Sequence, residues 1–220
     1  MDKIDIIIPC AGMGLRTGLK KPKCLLKFRN IHMILRQIGI LKKNYKCNIT
    51  VVTGFESCKV REILPKDVNE IYNKNYENTN VAYSIGLALK EINCKNALIF
   101  YGDLIYSNNI KIDCSNNYNY IAIDNNNDKN GIGVSVTDGI INHFNYGLPF
   151  KWSHISKINE IAISYFKTIV EEKQKYKWFS FELFNKMIED GHKFYPININ
   201  GLKVIEINNL EDLKLANKII

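Results

Sequence analysis

The stretch Ile4–Lys23, IDIIIPCAGMGLRTGLKKPK, decides the fold. Ile4, Ile6, Ile7 and Ile8 form a β-branched run mostly unbroken by polar residues, which is the pattern of a central strand covered on both faces. Pro9 closes the run. Gly12, Gly14 and Gly18 follow, allowing left-handed backbone and close approach of main-chain N–H groups to a ligand. Arg16, Lys20, Lys21 and Lys23 hang four positive charges on the same loop. Backbone donors and clustered cations at the carboxyl end of a central strand suit a polyphosphate, in the crevice where open α/β sheets bind ligands.

Two common phosphate-binding motifs fail here. The dinucleotide fingerprint places its third glycine where Thr17 stands, and the next strand ends Thr53-Gly54 with no acid for a ribose. A Walker loop needs Gly-Lys-Ser/Thr, which the segment lacks. The letters present are Ala11-Gly12-Met13-Gly14-Leu15-Arg16, then Pro22-Lys23-Cys24-Leu25-Leu26. They resemble the opening of the nucleotidyltransferases that join a nucleoside triphosphate to a phosphorylated acceptor. Cys10 departs from that pattern, in which a small residue is usual.

Composition narrows the field. At 220 residues the chain fits one domain, 1–220, with a full core. Lys+Arg 30 against Asp+Glu 22 gives a net charge of +8, which attracts anions of any kind. The lysines are scattered and no aromatic-basic ribonucleoprotein signature is present, so nucleic acid is not the expected partner. Six cysteines and four histidines show no zinc-ligand spacing. No leader opens the chain and no run approaches the roughly 18 apolar residues of a membrane span, so a cytoplasmic protein with reduced thiols is expected.

Downstream, helical and strand patterns alternate, which implies a parallel sheet with right-handed crossovers. Ile31, Ile34, Ile38 and Leu41 mark a helix; Asn48–Thr53 and Glu70–Tyr72 read as strands around a short helix from Glu56 to Leu64. Asn78-Thr79-Asn80 caps a helix carrying Val81, Ile85, Ala88 and Ile92 on one face. Ala97–Tyr101 is a buried strand delivering Gly102-Asp103, an acid placed to hold a divalent cation or simply to shape a turn. Tyr120–Asp124 is a strand, and Val134 to Phe144 a hairpin turning at Asp138-Gly139 that is expected to leave the main sheet. Ile161–Val170 and Trp178–Ile188 are helices, the second facing inward through Trp178, Phe181, Phe184 and Ile188. Phe194–Ile199 and Leu202–Ile207 are strands, and Asn209 caps a last helix with Leu210, Leu213, Ala216 and Ile220 inward.

The family resemblance implies an α/β fold of the nucleotide-diphospho-sugar transferase type: a Rossmann-like, mixed but mostly parallel sheet flanked by helices, with a β-hairpin covering the acceptor. It is similar above all to the small cytidylyltransferases. On that likeness Arg16 and Lys23 are catalytic, Ala11, Gly12, Gly14, Asn80, Ser84 and Gly102 bind the nucleotide CTP, and Tyr83, Lys151 and Trp152 face a small phosphorylated acceptor. Asp103 would hold Mg²⁺ with Asn208, which stands where the family's closing motif usually has an Asp, or with nearby Glu206. Asn80 can equally serve only as a cap, and Trp152 as a core aromatic. The acceptors implied are phosphoglutamine, as in capsule synthesis, phosphocholine or aminoethylphosphonate. Phosphoglutamine is favoured because the stretch from Lys151, Lys151-Trp152-Ser153-His154-Ile155, resembles that enzyme, and phosphocholine is disfavoured because the acids a choline cage needs are sparse between Lys151 and Lys167. A hexose-1-phosphate enzyme using UTP or dTTP and a non-catalytic basic nucleotide or nucleic-acid binder are the competing readings. Association as a homodimer stays open.

Overall fold

The expected strand is the spine of the molecule as β1 (Ile4–Cys10), and it runs through Pro9 to Cys10 rather than ending at the proline. The computed structural model describes residues 3–14, 21–107, 110–125, 131–199 and 202–220. After β1 come a short ribbon, β2 (Lys27–Phe28) and β3 (Ile31–His32), then α1 (Met33–Asn44), β4 (Cys47–Thr53), α2 (Ser57–Arg61), β5 (Asn69–Tyr72), α3 (Val81–Glu91) and β6 (Asn96–Phe100). The second half holds β7 (Leu104–Tyr106), β8 (Asn119–Asp124), β9 (Ile132–Thr137), β10 (Ile140–Tyr146), β11 (Phe150–Asn159), α4 (Glu160–Ile169), α5 (Ser180–Glu189), β12 (Phe194–Asn198), β13 (Val204–Glu206) and α6 (Leu210–Ile219).

Among the described residues nine strands share one sheet, running β10-β9-β11-β6-β1-β4-β5, with β8 and β12 joined at β11. β6, β1, β4 and β5 are parallel throughout. β11 enters antiparallel against β6, which makes the sheet mixed. Alternation along β1 splits the core. Ile7 packs with α3, α4 and α5, whereas Ile6 and Ile8 pack with α1 on the other face.

Several expectations change in detail. The hairpin β9–β10 does not leave the sheet: Phe150 and Lys151 of β11 pair with Val134 and Gly133, so it extends the edge. Ile31 belongs to the ribbon and is 52% exposed rather than inward, and Leu210 is 42% exposed because Asn209 caps α6 one residue before it. The buried face of α5 is Leu183, Phe184 and Met187, which turns Phe181 partly toward solvent. β7 was not suggested by the sequence, being only three residues long. β11 runs ten residues, and within it Lys157, fully buried, donates from its ammonium to Asn116 O, Asn116 Oδ1 and Tyr118 O. Those carbonyl oxygens compensate a charge that would otherwise forbid burial.

α3 and α4 cross in close contact at Gly86, where a Cβ would overlap Phe166 O of α4. A mid-helix glycine ordinarily costs about 0.5–1 kcal/mol against alanine. At this crossing the order reverses. Gly86→Ala is expected to destabilise the protein by about 1–3 kcal/mol through overpacking, read from the urea midpoint; an unchanged or raised midpoint would show that the helices separate freely.

Candidate functional site

The carboxyl ends of β1, β5 and β6 open into a cleft of about 650 Å³. Its floor begins with Ala11, Gly12, Met13 and Gly14. Gly14 has φ +63°, and a side chain there would press to 2.7 Å from Lys21 O, so the turn requires glycine. Arg16 lies outside the described residues.

Across from this loop, β6 ends in the turn Tyr101–Leu104. Gln37 of α1, 1% exposed, holds that turn by donating from Nε2 to Tyr101 O at 2.9 Å and Leu104 O at 2.7 Å. Gly102 is obligatory, since a Cβ would overlap the Cys10 sulfur. Asp103 is thereby fixed at the cleft floor. β7 then pairs antiparallel with β13, Glu206 opposite Leu104, and Ile207 N donates to Asp103 O at 2.8 Å. That pairing carries Asn208, near the end of the chain, to the side of Asp103.

Lys23 closes the constellation. Its Nζ donates to Asp103 Oδ2 at 2.9 Å and to Asn208 Oδ1 at 3.2 Å. The other carboxylate oxygen, Asp103 Oδ1, is buried with no protein partner. An orphaned carboxylate oxygen beside an amide oxygen is a hard-oxygen donor pair, which fits Mg²⁺. No group of three or more His, Cys, Asp or Glu side chains gathers among the described residues. Asp103 and Asn208 alone would give a cation a partial shell. Glu206 lines the same cleft. Burial pushes its carboxyl up, but the hydrogen bond and charge of His154, with Lys23 and Asn208, outweigh burial and bring it down to about 2.

At the other end of the cleft stand Asn73, Thr79, Asn80 and Ser84. Buried Asn73 donates from Nδ2 to Thr79 Oγ1 at 3.0 Å and to Ser84 Oγ at 3.2 Å. Ser84 Oγ is fixed by that bond and keeps its own proton as a donor. Asn80 caps α3, Oδ1 accepting from Val81 N at 2.8 Å, while Nδ2 donates to Lys177 O at 3.2 Å. Its amide is largely engaged in structure even though it lines the cleft.

The remaining expectations separate. Tyr83 is 5% exposed, packs edge-on to Tyr176 with ring centroids 4.7 Å apart, and lies outside the cleft lining. Lys151 also lies outside it: on β11 it faces the opposite way from Trp152 and sits in register with Asp124. Trp152, 1% exposed, is wedged among Tyr101, Phe144, His154 and Phe184 yet reaches the cleft wall. His154, not singled out in the sequence, packs tilted against Trp152 with ring centroids 4.6 Å apart and meets Glu206 Oε2 through Nε2 at 3.3 Å. Its strand carries a bulge between Trp152 and Ser156, and His154 itself has φ +55°. Tyr146, Phe179 and Phe181 rim the mouth.

Gln37→Met keeps the length of the side chain but removes the amide donor shared by Tyr101 O and Leu104 O, and leaves Tyr101 O with the bond from Leu104 N at 3.3 Å. The expected loss is about 1–3 kcal/mol for each acceptor left unpaired, measured by urea unfolding; a midpoint equal to that of the parent would mean water replaces the amide.

No protein-family model matches the sequence, and no curated protein matches it. Solved structures do match the fold. The CTP:phosphocholine cytidylyltransferase LicC of Streptococcus pneumoniae aligns at TM-score 0.86 with 18% identity, over 99% of both chains. A putative glucose-1-phosphate thymidylyltransferase of Bacillus anthracis aligns at 0.81 with 16% identity, over 98% of this chain and 94% of that one. The inositol-1-phosphate CTP transferase of T. maritima aligns at 0.79 with 15% identity, over 98% and 96%. The chain thus has the nucleotidyltransferase fold.

Proposed function

We propose that this chain is a nucleotidyltransferase that moves CMP from CTP to a small phosphorylated acceptor and releases pyrophosphate. The observation that carries the reading is the Lys23 ammonium held between Asp103 and Asn208 at the floor of the cleft. An acceptor phosphate oxygen attacks the α-phosphorus of CTP; the new P–O bond forms as the bond to the β-phosphate oxygen breaks. Two anions must meet, so the protein's task is neutralisation and alignment rather than nucleophilic attack. Gly12 and Gly14 offer backbone donors to the triphosphate, and Arg16 is assigned to grip its outer phosphates with a forked guanidinium. Lys23, released from Asp103, bridges the α-phosphate and the acceptor phosphate. Mg²⁺, held by Asp103 and Asn208 with Glu206 nearby, would supply positive charge to the transferring phosphoryl group. The hydroxyl of Ser84, set by Asn73, and the remaining capacity of Asn80 suit the polar edge of cytosine.

For the acceptor, the ionised Glu206 beside Trp152 and Tyr101 supports a cationic group, as in phosphoglutamine, phosphocholine or aminoethylphosphonate. Phosphoglutamine remains the first candidate from the likeness around Lys151–Ile155. The argument against phosphocholine weakens, because the acid missing from residues 151–167 arrives from β13.

The test crosses CTP, UTP, dTTP, ATP and GTP with these acceptors and with hexose 1-phosphates, scored by pyrophosphate. Release is expected with CTP and a zwitterionic acceptor only, and should stop with EDTA. Preference for UTP or dTTP with a hexose 1-phosphate would replace the cytidylyl reading, and no turnover with any pair would make the chain a binding protein. Under the productive pair, Lys23→Ala should lower kcat by on the order of 10²-fold or more with an unchanged circular dichroism spectrum. Near-parent turnover would remove Lys23 from the chemistry.

A further inference from the structure

Asn73 lines the cleft and is 1% exposed, yet phosphate transfer gives it nothing to do. Its backbone N donates to Thr53 O at 2.8 Å, which fixes it just past the end of β5. Its side-chain Oδ1 accepts from Asn75 N at 3.0 Å. A backbone N–H can only donate, so the amide cannot be turned over: the oxygen faces Asn75, and the two Nδ2 protons go to Thr79 Oγ1 at 3.0 Å and Ser84 Oγ at 3.2 Å.

The two hydroxyls that accept from Asn73 then differ. Thr79 gives its own proton to Asn75 O at 2.9 Å. The Ser84 proton has no acceptor among the described residues. A helical serine ordinarily donates to the carbonyl four residues back. Here that carbonyl is Asn80 O, which already takes Tyr83 N at 3.1 Å and Ser84 N at 3.3 Å. The direction left to the Ser84 proton is the cleft that Ser84 lines.

We propose that Asn73 is a specificity-determining residue, which makes the nucleotide site prefer cytosine to uracil by holding Ser84 as a hydrogen-bond donor. This role rests on the cytidylyl reading of the cleft. Cytosine carries a bare N3, an acceptor, where uracil carries N3–H, a donor. A hydroxyl proton aimed into the cleft pairs with the first and opposes the second, and two donors facing each other in a buried site each lose water without a replacement. A serine by itself would not discriminate, because a free hydroxyl rotates to suit either base. Asn73 removes that freedom. It is a positioning residue, acting on the base through Ser84, and the bonds run one way, from Asn75 N through Asn73 to Ser84.

Calorimetric binding of CTP and of UTP to the purified protein, in buffer containing Mg²⁺ and with no acceptor, measures the preference without requiring turnover. The parent is expected to bind CTP more tightly by on the order of tenfold to a hundredfold, the scale of one buried group deprived of its partner. Asn73→Asp keeps the shape of the side chain but, ionised by its three donors, can only accept, so it draws the Ser84 proton away from the cleft. The preference should vanish or pass to UTP. Ser84→Ala, which loses a single oxygen and serves if the buried aspartate prevents folding, should bind the two nucleotides alike. With Ser84→Ala in place, Asn73→Asp should move the ratio no further. Equal binding by the parent, a parent-like ratio in Ser84→Ala, or a shift by Asn73→Asp that persists without Ser84 overturns the role of Asn73. The expected ratios with no pyrophosphate released from any acceptor would uphold that role and overturn the transferase reading; binding of neither nucleotide overturns both.

Discussion

One ammonium group ties the structure together. Lys23 bonds Asp103, 80 positions away, and Asn208, 185 positions away. Its side chain is 13% exposed and that of Asp103 20%, so the pair is shielded from water and its charges depend on one another. Such pairs add little net stability, but removing one member strands the other. The loop after β1, the turn after β6 and the segment after β13 must therefore all reach their places before the site exists. The segment after β13 thus belongs to the Lys23–Asp103 cluster rather than to its periphery.

The fold was legible because its signals are local. Four β-branched isoleucines followed by proline and glycine announce a buried strand and its ligand loop, and the helices repeat apolar residues at the right spacing. What escaped was set by partners distant in sequence. Lys157 reads as a polar interruption of β11 until Asn116 and Tyr118 supply its acceptors. The hairpin β9–β10 reads as a free flap, since nothing in its own letters says that Phe150 and Lys151 continue its ladder.

The candidate site divides the same way. Lys23, Asp103, Asn208 and Ser84, each flagged by a short motif, do come to one cleft. Tyr83 shares its helix with Ser84, but one residue on an α-helix turns a side chain by about 100°, which carries Tyr83 into the core. Lys151 is displaced from Trp152 by strand alternation in the same manner. Gln37 left no mark in the sequence, because a glutamine inside an amphipathic helix reads as an ordinary surface residue until two carbonyl oxygens are found beneath it.

The β11 side of the cleft holds a backbone outlier. His154 occupies the left-handed region, which is strained for a residue with a Cβ, at a bulge where β11 slips register against β8. Its Nε2 meets Glu206, while Nδ1 is buried without a protein partner. Strain and an unpaired polar atom are each unfavourable, and a strand of this length has no packing need for either. What the distortion achieves is placement: it sets the imidazole between the Trp152 ring and the Glu206 carboxylate, so that an aromatic wall and an anion face the same space. An acceptor carrying phosphate at one end and positive charge at the other would meet Lys23 and this wall together.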